Sequence, residues 1–409
     1  MLASTAAVWL VGFGALRLSL LAPEACPTGT EAPVAAAAAA GEWIAEGQRS
    51  DGSYLYEYDR AEQAAMPGYN IVRHAGVTMS LYQLADAQAD AQADAGDEAG
   101  DDAPADDDPT AGRATLAVAD EGLDYMLDRL VPAGGGQAFV EPGASTARLG
   151  ASALMAAALE ARRDATDDPA HDRELRALGR FLAGQIGPNG QGLEEFDLEA
   201  SAVVADETSR YATGEAGWAL ARLHTLFPGE GWDGPARRVA TYLATERDEA
   251  EGLDFFPPWP DQWAAYLLAE LAPAGLDEVQ AGYARGLGER FGMLIRAESQ
   301  KDSRPHVVVD PRARAAGLGV WVEGLASISR VAEVDDRLAD LRSALADRLR
   351  CGAGILADRQ VTAAEAAAAA QPERVRGAWF RDDVTRMDDQ QHALTALLAS
   401  DGRLERSGT

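Results

Sequence analysis

The sequence predicts an all-α protein, an (α/α)6 toroid of six helical hairpins. Three observations carry that expectation. Amphipathic segments alternate along the chain with segments that are apolar nearly all round, the mark of outer and inner helices. The second kind recurs at a step of roughly 50 residues once two insertions are set aside, the period of a hairpin repeat. A connection rich in glycine, aromatic and acidic residues precedes several of the inner segments. In a closed ring such connections gather at one mouth.

Residues 1–30 read as a signal-like or membrane-anchor segment with its linker. Leu2–Ala22 carries one charge, Arg17, and has the length of a bilayer crossing. No Lys or Arg precedes the apolar run, so a buried first helix is the competing reading. A possible membrane tether through residues 2–22 implies an extracytoplasmic protein, periplasmic, tethered or secreted, with the cytoplasm as the alternative. The toroid is expected over residues 31–402 and a short tail over 403–409.

Pro33 opens a helix to about Gln48, because proline is preorganised for the first helical position. Ser53–Asp59 alternates Tyr54, Tyr56 and Tyr58 and reads as an extended strand. Pro67-Gly68 turns the chain into the first inner helix, Tyr69–Leu84. Residues from about 86 to 110 carry ten acidic groups, no basic ones and no large apolar ones, and are expected to be a disordered insertion.

Five further outer helices follow. They are marked by Leu116/Leu123/Leu127/Leu130, Leu175/Leu178/Leu182/Ile186, Val239/Tyr242/Leu243, Val279/Tyr283/Leu287/Phe291/Leu294 and Leu338/Leu341/Leu345/Leu349. Between them lie the inner segments Arg148–Ala161, Thr213–Leu226, Asp261–Leu271, Gly317–Ile328 and Asp388–Ala399. The Ala run Thr362–Ala370 reads as a second insertion.

Composition excludes some functions. A net charge of −30 with an isoelectric point near 4.5 would repel phosphate backbones, so nucleic acid is not an expected partner. The five histidines show no metal-ligand spacing and no phosphate-cradling glycine loop is present, so neither metal nor cofactor is expected. The two cysteines, Cys26 and Cys351, sit in no ligand motif. They read as unrelated residues, with a disulfide as the alternative in an oxidising compartment.

Polar groups at the start of buried helices need a partner or a ligand. The candidate catalytic residues are therefore His74, Glu215, Asp261, Asp388 and His392. Asp388 and His392 stand i, i+4 and share a helix face, so the carboxylate is expected to orient the imidazole for base work. The competing reading makes Asp388 a helix cap and His392 a buried structural histidine. Asp261, after Pro257-Pro258-Trp259-Pro260, has the place of an N-cap or of one acid in a dyad. Asn70, Arg73, Tyr211, Trp218, Trp259, Trp263, Trp321 and Trp379 are the candidate substrate-binding residues. Arg73 is suited either to clamping an anion or to neutralising Glu215 or Asp388 across the ring. His74 and His392 are expected to face each other where the ring closes.

The phrases YNIVRHAG, from Tyr69, and DDQQHALTALL, from Asp388, look like inner-helix openings of bacterial toroids. With the repeat, they make Val34–Ser400 resemble the six-hairpin glycosidase-like superfamily. That group includes glycoside hydrolases, unsaturated glucuronyl hydrolases and N-acylglucosamine 2-epimerases. The resemblance implies the toroid fold and, by analogy, a carbohydrate-active enzyme acting by acid/base chemistry on a carbohydrate or other small polar ligand. No single family's catalytic motif is matched. The alternative is a non-catalytic cell-envelope toroid that binds a glycan, peptide or protein.

Overall fold

The Ala- and Leu-rich segments fold as helices buried on every side. In the second of them thirteen consecutive residues, Leu149–Ala161, are all buried. Each fully buried Leu contributes about 2 kcal/mol relative to exposure. The wet-faced segments fold as helices with one buried stripe, such as Leu175, Leu178, Phe181 and Leu182.

The computed structural model describes residues 9–14, 22–27, 33–98, 111–204, 207–252, 260–303 and 312–402. Among them are twelve helices of ten residues or more. In chain order these are α1 (Pro33–Gly47), α2 (Ile71–Glu98), α3 (Ala111–Leu127), α4 (Leu149–Thr166), α5 (Asp172–Gln185), α6 (Ala212–Leu226), α7 (Asp233–Thr245), α8 (Gln262–Leu271), α9 (Glu278–Ser299), α10 (Ala315–Val334), α11 (Arg342–Arg359) and α12 (Met387–Ser400). The even-numbered helices form the inner ring. Each packs on the next, and α12 packs back on α2. Each odd-numbered helix lies outside, against the inner helices that flank it in that order. This is the (α/α)6 toroid.

Small residues set the spacing of the ring. Gly319 of α10 lies so close to α12 that a Cβ there would meet the His392 carbonyl carbon at 2.6 Å. A larger residue would push apart the two helices that carry Glu323 and His392.

Short sheets decorate the connections. Strand β1 (Glu57–Asp59) pairs antiparallel with β2 (Ala64–Met66) and with the strand Val384–Arg386 just before α12. That pairing joins the first and last connections and closes the seam of the ring at the mouth. The expected strand from Ser53 is thus shorter. Residues 53–56 are unladdered, although Tyr54 and Tyr58 are buried as the alternation requires. Leu130, expected in the second outer helix, lies in a hairpin strand, Leu130–Ala133.

Two further expectations are corrected, for the acidic insertion and for the cysteines. The acidic insertion is not unstructured at its start, because α2 continues through it to Glu98. Ala and Gln are good helix formers, and α3 packs along α2 with Thr115 donating to Gln88 at 2.9 Å. Residues 99–110 lie outside the described residues. The Ala run holds a single helical turn, Ala363–Ala366, opened by a Thr362/Glu365 capping box. Finally, Cys26 and Cys351 are joined in a disulfide with Cα atoms 4.8 Å apart. A separation of 325 residues hides a proximity that only ring closure creates.

The toroid body also begins earlier than residue 31. Ala25 donates its backbone N–H to Ser299 at 2.8 Å, Gln300 donates to the Ala22 carbonyl at 2.9 Å, and Glu24 pairs with Arg296 at 3.0 Å and with Arg348. Of residues 2–22, the stretch 9–14 is helical with Trp9, Leu10, Val11 and Phe13 exposed. Among the described residues no helix is long and apolar enough to cross a membrane.

Candidate functional site

The inner helices open toward one mouth, and a cavity of about 530 Å3 lies there. The start of α12 shows how the sequence builds it. Asp389 is buried and faces away from the cavity. Its carboxylate accepts from the N–H groups of Arg386 and Ala316, both at 3.1 Å, and pairs with Arg314 at 2.6 Å. This one residue caps α12 and fastens it to the start of α10. Asp388 and His392, one turn apart, are left facing the cavity.

The partner of His392 is not Asp388. Its Nδ1 lies 3.0 Å from Glu323 of α10. A carboxylate accepts, so Nδ1 carries the proton and Nε2 is the nitrogen left for a ligand. Burial opposes the imidazolium, but the charge and hydrogen bond of Glu323 together with the charges of Asp388 and Asp389 outweigh it, and the pKa lies above the ordinary histidine value. Asp388 instead pairs with Arg73 at 3.2 Å. Arg73 also donates to the Tyr56 hydroxyl at 2.7 Å and lies 5.3 Å from the centre of that ring. Of the two expected roles for Arg73, the structure has it neutralising Asp388.

Glu215 stands on α6, three places round the ring from α12 and so on the opposite wall. It lines the same cavity, against Gly150 of α4, where a Cβ would collide with its carboxyl. Burial holds its pKa well above the carboxylate range, and the nearby Glu194 and Asp261 raise it further. Glu215 is therefore held toward its protonated form. Glu194 accepts from the same Gly150 N–H and is pushed up to about 7 by burial, against the pull of Arg148 and that N–H. It stands in Gly190–Asp197, one of the glycine-, aromatic- and acid-rich connections before the inner helices, where no helical spacing marks it.

Tyr211, Trp263 and Trp321 also line the cavity. Trp263 lies 6.4 Å from His392, ring centre to ring centre. The outer helix α9 contributes Arg290, Met293 and Leu294, which no inner-helix pattern could reveal.

Several expected residues lie elsewhere. Asn70 caps α2, accepting from the Arg73 N–H at 3.0 Å. Asp261 is fully buried as the N-cap of α8, accepting from Trp263 and Ala264 and paired with the equally buried Arg247. Trp218 lies deeper, stacked on Tyr266 at 4.8 Å and lining a small polar pocket with the far ends of the inner helices. Trp379 is buried in the core, with its indole donating to the Leu356 carbonyl at 2.8 Å. Trp259 lies outside the described residues.

His74 does not meet His392. It points outward to α3, where Nε2 lies 2.9 Å from the Gly122 carbonyl and its ring stacks on Tyr125 at 4.7 Å. Since a carbonyl only accepts, Nε2 carries the proton. Nδ1 is buried without a hydrogen-bond partner. Burial pushes the pKa down to about 4, against the pull of the Gly122 carbonyl. In the unfolded chain this group titrates near 6.5, so the folded state binds the proton less well between the two values. Its contribution is complete above pH 6.5 and is lost as pH falls to about 4, a change of about 3 kcal/mol. His74→Phe should therefore flatten the acid side of the stability curve. Urea midpoints of both proteins at pH 7, 5.5 and 4 measure it, and parallel curves would refute it.

No protein-family profile matches the chain, and no curated protein matches it in sequence. Solved structures do share its fold. Cellobiose 2-epimerase from Spirochaeta thermophila DSM 6192 superposes with a TM-score of 0.58 at 14% identity, over 90% of this chain and 94% of that one. A D-mannose isomerase gives 0.54 at 12% identity, over 91% and 97%. A family 76 glycoside hydrolase from a bovine Bacteroides thetaiotaomicron strain gives 0.53 at 12%, over 92% and 78%. The chain thus shares the (α/α)6 toroid fold of these structures, as its repeat pattern implies.

Proposed function

We propose that the protein is a carbohydrate-active enzyme that transfers a proton at the carbon beside a sugar carbonyl, as a sugar epimerase or isomerase. One observation carries the proposal. An imidazole oriented by a buried carboxylate and a carboxyl group held toward its protonated form line opposite walls of one cavity. Both groups are held toward their protonated forms, so the carboxyl can supply a proton and the imidazole, once neutral, is a strong base. Neutral His392 takes the carbon-bound proton on Nε2, while Glu323 stabilises the imidazolium that forms. The electron pair moves through the new C=C bond onto the carbonyl oxygen, which takes its proton from Glu215. His392 returning its proton to the neighbouring carbon, with Glu215 recovering one from the other enediol hydroxyl, gives the isomer; returning it to the opposite face of the same carbon after the enediol turns in the cavity, with Glu215 recovering the proton it gave, gives the epimer. Trp263 and Trp321 provide apolar faces for the sugar, and a cavity of about 530 Å3 has room for a mono- or disaccharide. The named epimerase and isomerase of similar fold support the same reading at the level of fold alone.

The test is deuterium exchange. Incubated with reducing mono- and disaccharides in D2O, the protein should wash the C2 proton out of at least one, seen as loss of its NMR signal. Absence of exchange across the panel would falsify the proposal.

A second reading rests on Asp388, which lines the cavity on the same wall as His392. Glu215 as acid and Asp388 as base would suit inverting glycoside hydrolysis. Release of new reducing ends from oligosaccharides, without C2 exchange, would favour it. The Arg73 ion pair argues against it, because Asp388 must first give up a cation. A purely structural toroid is disfavoured by the open cavity at the mouth. We also infer an extracytoplasmic setting, since disulfides persist in oxidising compartments and the apolar run 2–22 suits a signal or tether.

A further inference from the structure

We infer that the sugar taken by this cavity carries an anionic group, a carboxylate or a phosphate, and that Arg290 of the outer helix α9 recognises it. The inference rests on the reading of the cavity as a sugar site. In a ring of hairpins the outer helices normally stand behind the inner ones. Here the inner helix α8 is only ten residues long, whereas α9 beside it has 22. On the far side α10 begins with Ala315, Ala316 and Gly317. Through that gap Arg290, Met293 and Leu294, spaced i, i+3, i+4, present one face of α9 to the cavity.

The charge on Arg290 is not used by the fold. Its Nη1 is buried and has no hydrogen-bond partner, and no carboxylate pairs with it among the described residues. Arg290 as a whole is half-buried, but a guanidinium nitrogen held out of water without a partner is costly, and proteins seldom keep one without a use. The other charges of the cavity are already balanced. Arg73 holds Asp388, His392 faces Glu323, and burial holds Glu215 toward its uncharged form. An anionic ligand would complete the set, and the planar fork of an arginine suits a carboxylate or phosphate. Arg73, the anion clamp expected from sequence, is already committed to Asp388 and Tyr56.

Calorimetry on the full chain carrying His392→Asn tests this without turnover. The probes are matched pairs: glucuronate and glucose, galacturonate and galactose, mannuronate and mannose, glucose 6-phosphate and glucose. At least one anionic member should bind about ten- to a hundred-fold more tightly than its neutral partner, the range of a charge-assisted hydrogen bond. Arg290→Gln should erase that ratio by weakening the anionic sugar far more than the neutral one, while Arg290→Lys should keep part of it. Which anion wins separates the carboxylate from the phosphate. No anionic preference anywhere, no binding at all, or a preference that survives Arg290→Gln in a folded protein each overturns the inference. So does a fall in kcat on a neutral sugar in Arg290→Gln, which would make the arginine a stabiliser of the developing oxyanion. Anion binding without C2 exchange leaves this inference standing and sinks the proton-transfer reading. Exchange on neutral sugars with no anionic preference does the reverse.

Discussion

His392→Asn should lower the rate of C2 proton exchange by roughly a thousand-fold while leaving substrate affinity within a few-fold, because a positioned acid or base contributes about 10²–10⁴. Asparagine preserves approximate size and a group that can bond Glu323, so a folding defect should not confuse the result. The pH profile then says which state of each group works. The base must be neutral, so activity rises as pH rises through the pKa of His392, which Glu323 holds above the ordinary value. Glu215 must be protonated, so activity falls as pH rises through its own elevated pKa. The profile should be a bell. Glu323→Gln removes the leading stabiliser of the imidazolium and leaves the burial that opposes it. The acid limb should then move to lower pH, even as kcat drops. An acid limb that stays in place would mean that another group titrates there.

These side chains differ in how far the sequence revealed them, and the reasons are physical. The ring was legible because burial on all sides leaves a composition, as in Arg148–Ala161, that a half-wet helix cannot have. The seam was legible because polar residues at the start of a buried helix are conspicuous. Who pairs with whom was not. Asp388 and His392 share a face in sequence, yet the distance that matters runs from His392 to Glu323, 69 residues away and set by the contact of Gly319 with α12. His74 shows the opposite error. One residue's rotation, about 100°, decides whether a side chain near a helix start looks into the ring or out to α3, and helical periodicity alone does not fix where the ring axis lies. Arg290 belongs to an amphipathic outer helix, where an arginine reads as part of the wet face. Only the shortness of α8 exposes it to the cavity. Arg247 was hidden for a similar reason, since nothing local in Arg247–Ala250 announces a fully buried guanidinium.

That buried pair is where the largest loss of stability is expected. Asp261→Asn should destabilise the fold by about 3–5 kcal/mol, the range for removing one partner of a buried ion pair. Asparagine can still accept from the Trp263 and Ala264 N–H groups, so the helix cap is largely retained. What remains is a guanidinium, fully buried, with only Asp248 at 3.1 Å and the Tyr283 hydroxyl at 3.2 Å to hold it. Arg247→Met should cost less, because Asp261, already raised by burial, can shed its charge by taking a proton once its cation is gone. The double variant should recover part of the loss of Asp261→Asn, and a double-mutant cycle in urea measures the coupling. Additive losses would mean that the pair is not a unit. The same substitution should reach the active cavity. The negative charge of Asp261 is one of the causes, after burial and Glu194, that keep Glu215 protonated. Removing it lowers the pKa of Glu215, so the basic limb of the bell should move to lower pH in Asp261→Asn. A residue that touches no part of the cavity would thereby set the upper edge of its working range. That shift separates an electrostatic effect from simple loss of folded protein, which would lower the whole profile without moving it.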